Sequence, residues 1–165
     1  MKIDLKRLFD TVGSKVTISE SLDMSDVTEW GVKPFVQPVR IEGTVKNRAG
    51  VVTLEYTAYL SYRIPCDRCL VPIEHKDQEL SFEHTVVREL NQADDDDYVV
   101  LPDGLLDLDE LATSDIILEL PIKNVCSEGC KGLCPHCGTN LNEKSCGCKK
   151  PTDSRWDVLD QLLKQ

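Results

Sequence analysis

Eight cysteines in a 165-residue chain constrain it more than any other feature. Six of them, Cys126, Cys130, Cys134, Cys137, Cys146 and Cys148, crowd the stretch CSEGCKGLCPHCGTNLNEKSCGC. The other two, Cys66 and Cys69, form an isolated C-x2-C pair in PCDRCL. In CPHCG, two thiolates three positions apart can share one tight turn, and Gly138 permits the positive φ that aims backbone N–H groups at sulfur. In CGC, Gly147 allows the bend that turns Cys146 and Cys148 toward one point. These four make a C-x2-C-x8-C-x-C set whose thiolates can surround one Zn²⁺ at about 2.3 Å.

Cys66 with Cys69 and Cys126 with Cys130 are then two half-sites, and two halves make a second four-thiolate site. Structural zinc contributes on the order of 10 kcal/mol to organising a small module. The spacing leaves another grouping open, with Cys126, Cys130, Cys134 and Cys137 on one ion and the remaining four on another. Two full sets of thiolates leave no open coordination position, so the expected metal is structural rather than catalytic. A thioredoxin-like use of CDRC would want Cys66 at the start of a helix, and Pro72 and the flanking strands argue against one. His136 reads as a bystander inside the second knuckle. His84 falls on the apolar face of a strand and reads as a hydrogen-bonded core histidine, and His75 carries no signal.

The reading of cysteines as metal ligands rests on the compartment. The first residues, MKIDLKRLFD, contain no run long enough for a signal peptide, and no later stretch approaches about 18 continuous apolar residues. A cytoplasmic protein is expected, and reducing conditions there favour metal sites over disulfides. The chain is long enough to bury a hydrophobic core without metal.

That core reads as a sheet. Val52, Leu54, Tyr56, Ala58, Leu60, Tyr62 and Ile64 fall on every second position, the mark of a strand with one buried face. Val39, Ile41 and Val45 alternate before it, across a turn at Asn47 to Gly50, and Leu80, Phe82, His84 and Val86 alternate after it. PCDRCLVP therefore sits at a turn between strands. The N-terminal residues suggest a short helix and a strand. In DLDELATSDIILELP, Asp107 is a candidate cap, Glu110 completes a capping box and Pro121 ends a helix whose Leu108, Leu111, Ala112 and Leu118 would cover the sheet. The run Asp94 to Asp97 reads as a solvated loop. DSRWDVLDQLLKQ reads as a short amphipathic helix with Trp156, Leu159 and Leu163 on one face.

The expectation is an α+β chain: an antiparallel sheet with a covering helix, a cysteine-rich zinc module and a C-terminal helix. Residues 1–121 would form an acidic sheet domain and residues 122–165 the zinc module and terminal helix, docked on the first. Residues 1–120 hold 12 Lys/Arg against 24 Asp/Glu, a formal −12, whereas residues 121–165 hold 7 against 5, a formal +2. An acidic field repels phosphate and disfavours non-specific nucleic-acid binding, while attracting a basic protein. Lys123, Lys131, Lys144, Lys149, Lys150 and Arg155 leave direct RNA contact by the tail open. No phosphate-binding, dinucleotide, metalloprotease or serine-hydrolase motif occurs, so neither an enzyme nor a small-molecule substrate is indicated.

Several stretches together resemble the YceD family: MKIDLKRL, CDRCL, DELATSDIILELP, CKGLCPHCGTNLN with CGC, and DSRWDVLDQLL, in order along nearly the whole chain. Cys66, Cys69, Cys126, Cys130 and the four from Cys134 to Cys148 match that pattern, although some relatives lack the last set. The resemblance implies a part in the accumulation of large-subunit ribosomal RNA, hence ribosome biogenesis, with a ribosomal protein or large-subunit precursor as partner. It carries over no catalytic residue. The rival reading is an RNA-processing or thiol-redox enzyme that uses the cysteine clusters chemically.

Overall fold

The computed structural model describes residues 1–89 and 98–148. The acidic run at Asp94 to Asp97 and the terminal amphipathic segment lie outside the described residues. Two compact units are present, one made of Met1–Ile64 with Pro72–Asn124, the other of Pro65–Val71 with the chain from Val125 onward.

In chain order the first unit contains β1 (Lys2–Asp4), α1 (Lys6–Asp10), β2 (Lys15–Leu22), β3 (Val39–Arg48), β4 (Val51–Pro65), β5 (Pro72–Val87), β6 (Tyr98–Val100), β7 (Leu105–Asp107) and α2 (Leu108–Glu119). Strands β2 to β6 form one sheet in sequence order, and β1 pairs antiparallel with β7 in a second, two-stranded sheet. The β2–β3 and β3–β4 pairs are antiparallel, whereas β6 runs parallel to β5. The alternation along β4 is realised in full: Val52, Leu54, Tyr56, Ala58, Leu60, Tyr62 and Ile64 are all buried. Each of the valine, leucine and isoleucine side chains among them contributes about 1.5–3 kcal/mol when taken from water, which makes β4 the axis of the core.

Local chemistry sets the strand ends. Arg48 pairs with Val51 across a two-residue turn whose central residues, Ala49 and Gly50, have φ of 52° and 89°, the twist that a tight hairpin needs. Asn47, which the sequence places in that turn as a polar residue, is buried. Its Nδ2 donates to the carbonyls of Leu8 (2.7 Å) and Phe9 (3.2 Å) and its Oδ1 accepts from Gly50 N–H. One side chain thus closes the hairpin and satisfies carbonyls at the end of α1.

Helix α2 begins as its sequence indicates, with the Asp107 side chain accepting from Glu110 N–H, and its last residue lies two before Pro121. Its buried face differs from the expected one. Leu108, Ala112 and Ile116 are buried, Leu111 is half-buried, and Leu118 is 78% exposed. At 100° per residue, Leu118 points about 120° away from Ala112, so it cannot join a stripe through Leu108 and Ala112, whereas Ile116 does.

Candidate metal centres

Both cysteine sets lie in the second unit, where two tight turns have the same construction. Cys66 N–H donates to Val71 O and Leu70 N–H to Cys66 O. Cys134 N–H donates to Thr139 O and Gly138 N–H to Cys134 O, all four at 2.9 Å. The residue after the second cysteine has positive φ in both, 60° at Leu70 and 70° at Gly138. A C-x2-C pair folded in this way presents both sulfurs on one side of the turn.

The sulfurs of Cys66, Cys69, Cys126 and Cys130 lie within 4.8 Å of one another, as do those of Cys134, Cys137, Cys146 and Cys148. The grouping of Cys126 and Cys130 with Cys134 and Cys137 is not the one seen. Cys66 Sγ is 3.9 Å from Cys130 Sγ, and Cys69 Sγ is 3.6 Å from Cys126 Sγ. Four sulfurs at 2.3 Å from a tetrahedral Zn²⁺ would stand about 3.8 Å apart, so this donor set fits that ion. All eight cysteines are free thiols. His136 is exposed and belongs to neither set.

The electrostatics of each set also favour a cation. Burial pushes the Cys66 thiol up, but backbone N–H groups of Cys69, Arg68 and Cys126 aimed at its sulfur outweigh that and hold it at about 6. The Val71 N–H pulls Cys69 down, yet burial and the neighbouring thiols of Cys66, Cys126 and Cys130 prevail and push it up to about 12. In the other set the Thr139 hydroxyl, 3.2 Å from Cys137 Sγ, and the Thr139 N–H hold Cys137 at about 6, while Cys137 itself is the main cause that pushes Cys148 up to about 12. In the first set burial also pushes the Cys130 thiol up, but the Asn142 amide and the Gly132 N–H outweigh it and hold that thiol below its ordinary value. In each set the sulfurs that ionise readily oppose ionisation of the others. A dication removes that opposition and lets all four ionise.

Several supporting residues carry little signal in the sequence. Arg68 Nη1 donates to Cys130 O at 2.9 Å, and Leu133 N–H donates to Arg68 O at 3.0 Å. Gly132, at φ 73°, passes so close that a Cβ there would stand 2.9 Å from Arg68 O. Asn142 Nδ2 donates to Cys130 Sγ at 3.3 Å. Only Thr139 could have been flagged, because it follows the knuckle glycine directly.

The first unit holds a separate polar cluster. Asp115 on α2 accepts from His84 Nε2 at 2.7 Å and from the Tyr56 hydroxyl on the same oxygen. The expectation for His84 as a hydrogen-bonded histidine on the strand's inner face agrees with this. His75, which carries no sequence signal, stacks on Tyr62 with ring centroids 4.6 Å apart and donates from Nε2 to Asn124 Oδ1. A depression of about 660 Å³ lies over β2 to β5. It is lined by Thr17, Thr44, Thr57 and Ser81 with Glu42, Glu55 and Glu83, and by no histidine, cysteine, lysine or arginine. Among the described residues no helix is long and apolar enough to cross a membrane.

Residues 54–163 match the family described as "Large ribosomal RNA subunit accumulation protein YceD". An uncharacterized protein of Mycobacterium leprae is 29% identical over 144 residues, covering 83% of this chain and 62% of that protein. An uncharacterized protein of Mycobacterium tuberculosis is 33% identical over 103 residues, covering 59% of this chain and 49% of the relative. A chloroplastic YCED homolog 1 of Arabidopsis thaliana, a large ribosomal RNA subunit accumulation protein, is 39% identical over 49 residues, 29% of this chain and 15% of that one. The chain spans about half the length of the first curated relatives it matches. No solved structure matches. The paired cysteine turns and the family match agree, and the chain belongs to the YceD family.

Proposed function

We propose that this chain is a non-enzymatic factor of large-subunit ribosome biogenesis, acting in the cytoplasm by binding a basic ribosomal protein or a large-subunit precursor. Membership of a family described by large ribosomal RNA accumulation carries this reading. The choice of a protein over naked RNA as the first contact rests on charge. Residues 1–120 carry a formal −12, and such a field attracts cations and repels phosphate. The depression over β2 to β5 adds a local argument, since every charged residue lining it is a glutamate. Glu42 and Glu55 are paired at its rim with Arg40 and Lys46, so the attraction is moderate and spread over the unit.

In this reading the acidic sheet unit recognises the partner and the cysteine unit is a structural module. Cys66, Cys69, Cys126 and Cys130 would hold one Zn²⁺, and Cys134, Cys137, Cys146 and Cys148 another. The ions would supply cross-links between segments with too few apolar residues to fold alone.

A pull-down with the tagged full chain, before and after nuclease, tests the proposal. Ribosomal proteins should be retained after RNA is destroyed, and should elute as salt rises past the point where exposed charges are screened, a Debye length of about 10 Å at 0.1 M. Tight binding of isolated large-subunit RNA, with all protein recovery lost on nuclease treatment, would overturn it. Rapid alkylation of the cysteines in the native, metal-loaded protein would favour a thiol-redox enzyme instead.

A further inference from the structure

We propose that Asn142 is a positioning residue that couples the two cysteine centres, so that filling the second strengthens metal binding at the first. The inference rests on the metal reading above. Asn142 lies in the eight-residue segment between Cys137 and Cys146, both members of the second set, yet its side chain is directed at the first. Nδ2 donates to Cys130 Sγ at 3.3 Å, and Oδ1 accepts from the backbone N–H of Lys131 at 2.7 Å. One amide therefore holds both the sulfur of Cys130 and the residue that follows it.

The segment carrying Asn142 is tied back at further points. Leu141 N–H donates to Gly132 O at 2.9 Å, and Asn140 forms a bridge with Leu133. Asn142 N–H and Nδ2 both donate to Asn140 Oδ1, at 3.1 and 2.9 Å. The side chain is thus aimed by its own loop. A metal on Cys134, Cys137, Cys146 and Cys148 closes that loop at both ends and removes much of the freedom it would otherwise have to lose. The pre-set N–H then meets a thiolate that shares a doubly negative four-sulfur centre, where a donor to sulfur disperses charge. Partners of this kind typically change metal affinity by about 10–100-fold. By linkage the first centre favours the second by the same factor.

Loading the full chain with ¹¹³Cd²⁺ tests this, using the NMR resonance of each four-sulfur centre together with chelator competition. Cys126→Ser assigns the first-centre signal. Asn142→Asp keeps an oxygen for the Lys131 N–H but replaces the donor to sulfur. It should move the first-centre resonance, leave the second unmoved, and weaken the first centre by about tenfold. A residue that serves only as an acceptor in its loop would tolerate that change. Cys146→Ser with Cys148→Ser should weaken the first centre by a similar factor, and adding Asn142→Asp should cost little more. Two ions bound by the unaltered chain, with the first centre unchanged in both variants, overturn the coupling and leave the metal reading intact. Fewer than two ions in the unaltered chain overturn the metal reading, and the coupling with it.

Discussion

Leu70 and Gly138 hold the same place in the two cysteine turns. Each follows the second cysteine of its pair, has φ of 60° or 70°, and donates its N–H to the carbonyl of the first cysteine at 2.9 Å. One turn meets this requirement with a glycine, the other with a β-carbon in a left-handed conformation that costs roughly 1–2 kcal/mol.

Leu70→Gly should therefore raise the stability of the metal-loaded protein by up to about 1 kcal/mol, the relieved strain being offset in part by about 0.4–1 kcal/mol of greater freedom in the unfolded chain. Gly138→Leu should lower stability by a similar amount, because a Cβ at Gly138 meets nothing within 4 Å and only the backbone objects. Thermal unfolding of the two variants measures both. A loss above 1 kcal/mol in Leu70→Gly would mean that the exposed leucine contributes contacts of its own.

Gly132→Ala should be costlier, by about 2 kcal/mol or more. It combines φ of 73° with a Cβ 2.9 Å from the backbone oxygen of Arg68, an atom that cannot rotate away and that accepts the Leu133 N–H. Metal at Cys66, Cys69, Cys126 and Cys130 should then be lost to a chelator sooner than metal at the other set. Equal loss from both would contradict the local origin of the effect.

What could be read from the sequence, and what could not, follows from the range of each interaction. The seven buried residues of β4 and the start of α2 depend on periodicity and on hydrogen bonds within three residues, so they are visible in the chain itself. Leu118 misleads because composition alone recruits any leucine to the core, while helix geometry turns that one to solvent. The pairing of Asp115 with Tyr56 and His84 is invisible until β4 and β5 are placed opposite it, although His84 on an apolar face is a hint that a partner exists. Cysteine spacing marks the knuckles but leaves two groupings open, and it is the position of the sulfurs in space that separates Cys126 and Cys130 from Cys134 and Cys137. Arg68, Gly132 and Asn142 escape notice because their partners lie across loops whose approach no local pattern encodes.

The cluster of Tyr56, His84 and Asp115 gives an alkaline signature. Burial, and after it the Asp115 carboxylate, push the Tyr56 hydroxyl well above its ordinary range, and burial also raises Tyr62. Both stay protonated in the fold while the unfolded chain ionises near pH 10. The unfolded state then binds fewer protons, so the stability they contribute is complete below about pH 10 and falls as pH rises beyond it. Tyr56→Phe should cost about 1–2 kcal/mol at neutral pH through the lost hydrogen bond, and make the alkaline decline shallower. Urea unfolding at pH 8 and above pH 10 gives both quantities, and an unchanged slope would contradict the assignment.

The central claim is that eight thiols form two metal centres divided as Cys66, Cys69, Cys126, Cys130 and Cys134, Cys137, Cys146, Cys148. Native mass spectrometry of the full chain, purified without chelator, tests it most directly when run on the unaltered chain, Cys66→Ser, Cys126→Ser and the variant carrying both substitutions. The unaltered chain should carry two zinc ions. Each single variant and the double variant should retain one, because both substitutions fall in the same centre. A single ion in the unaltered chain, or none in the double variant, would contradict the claim.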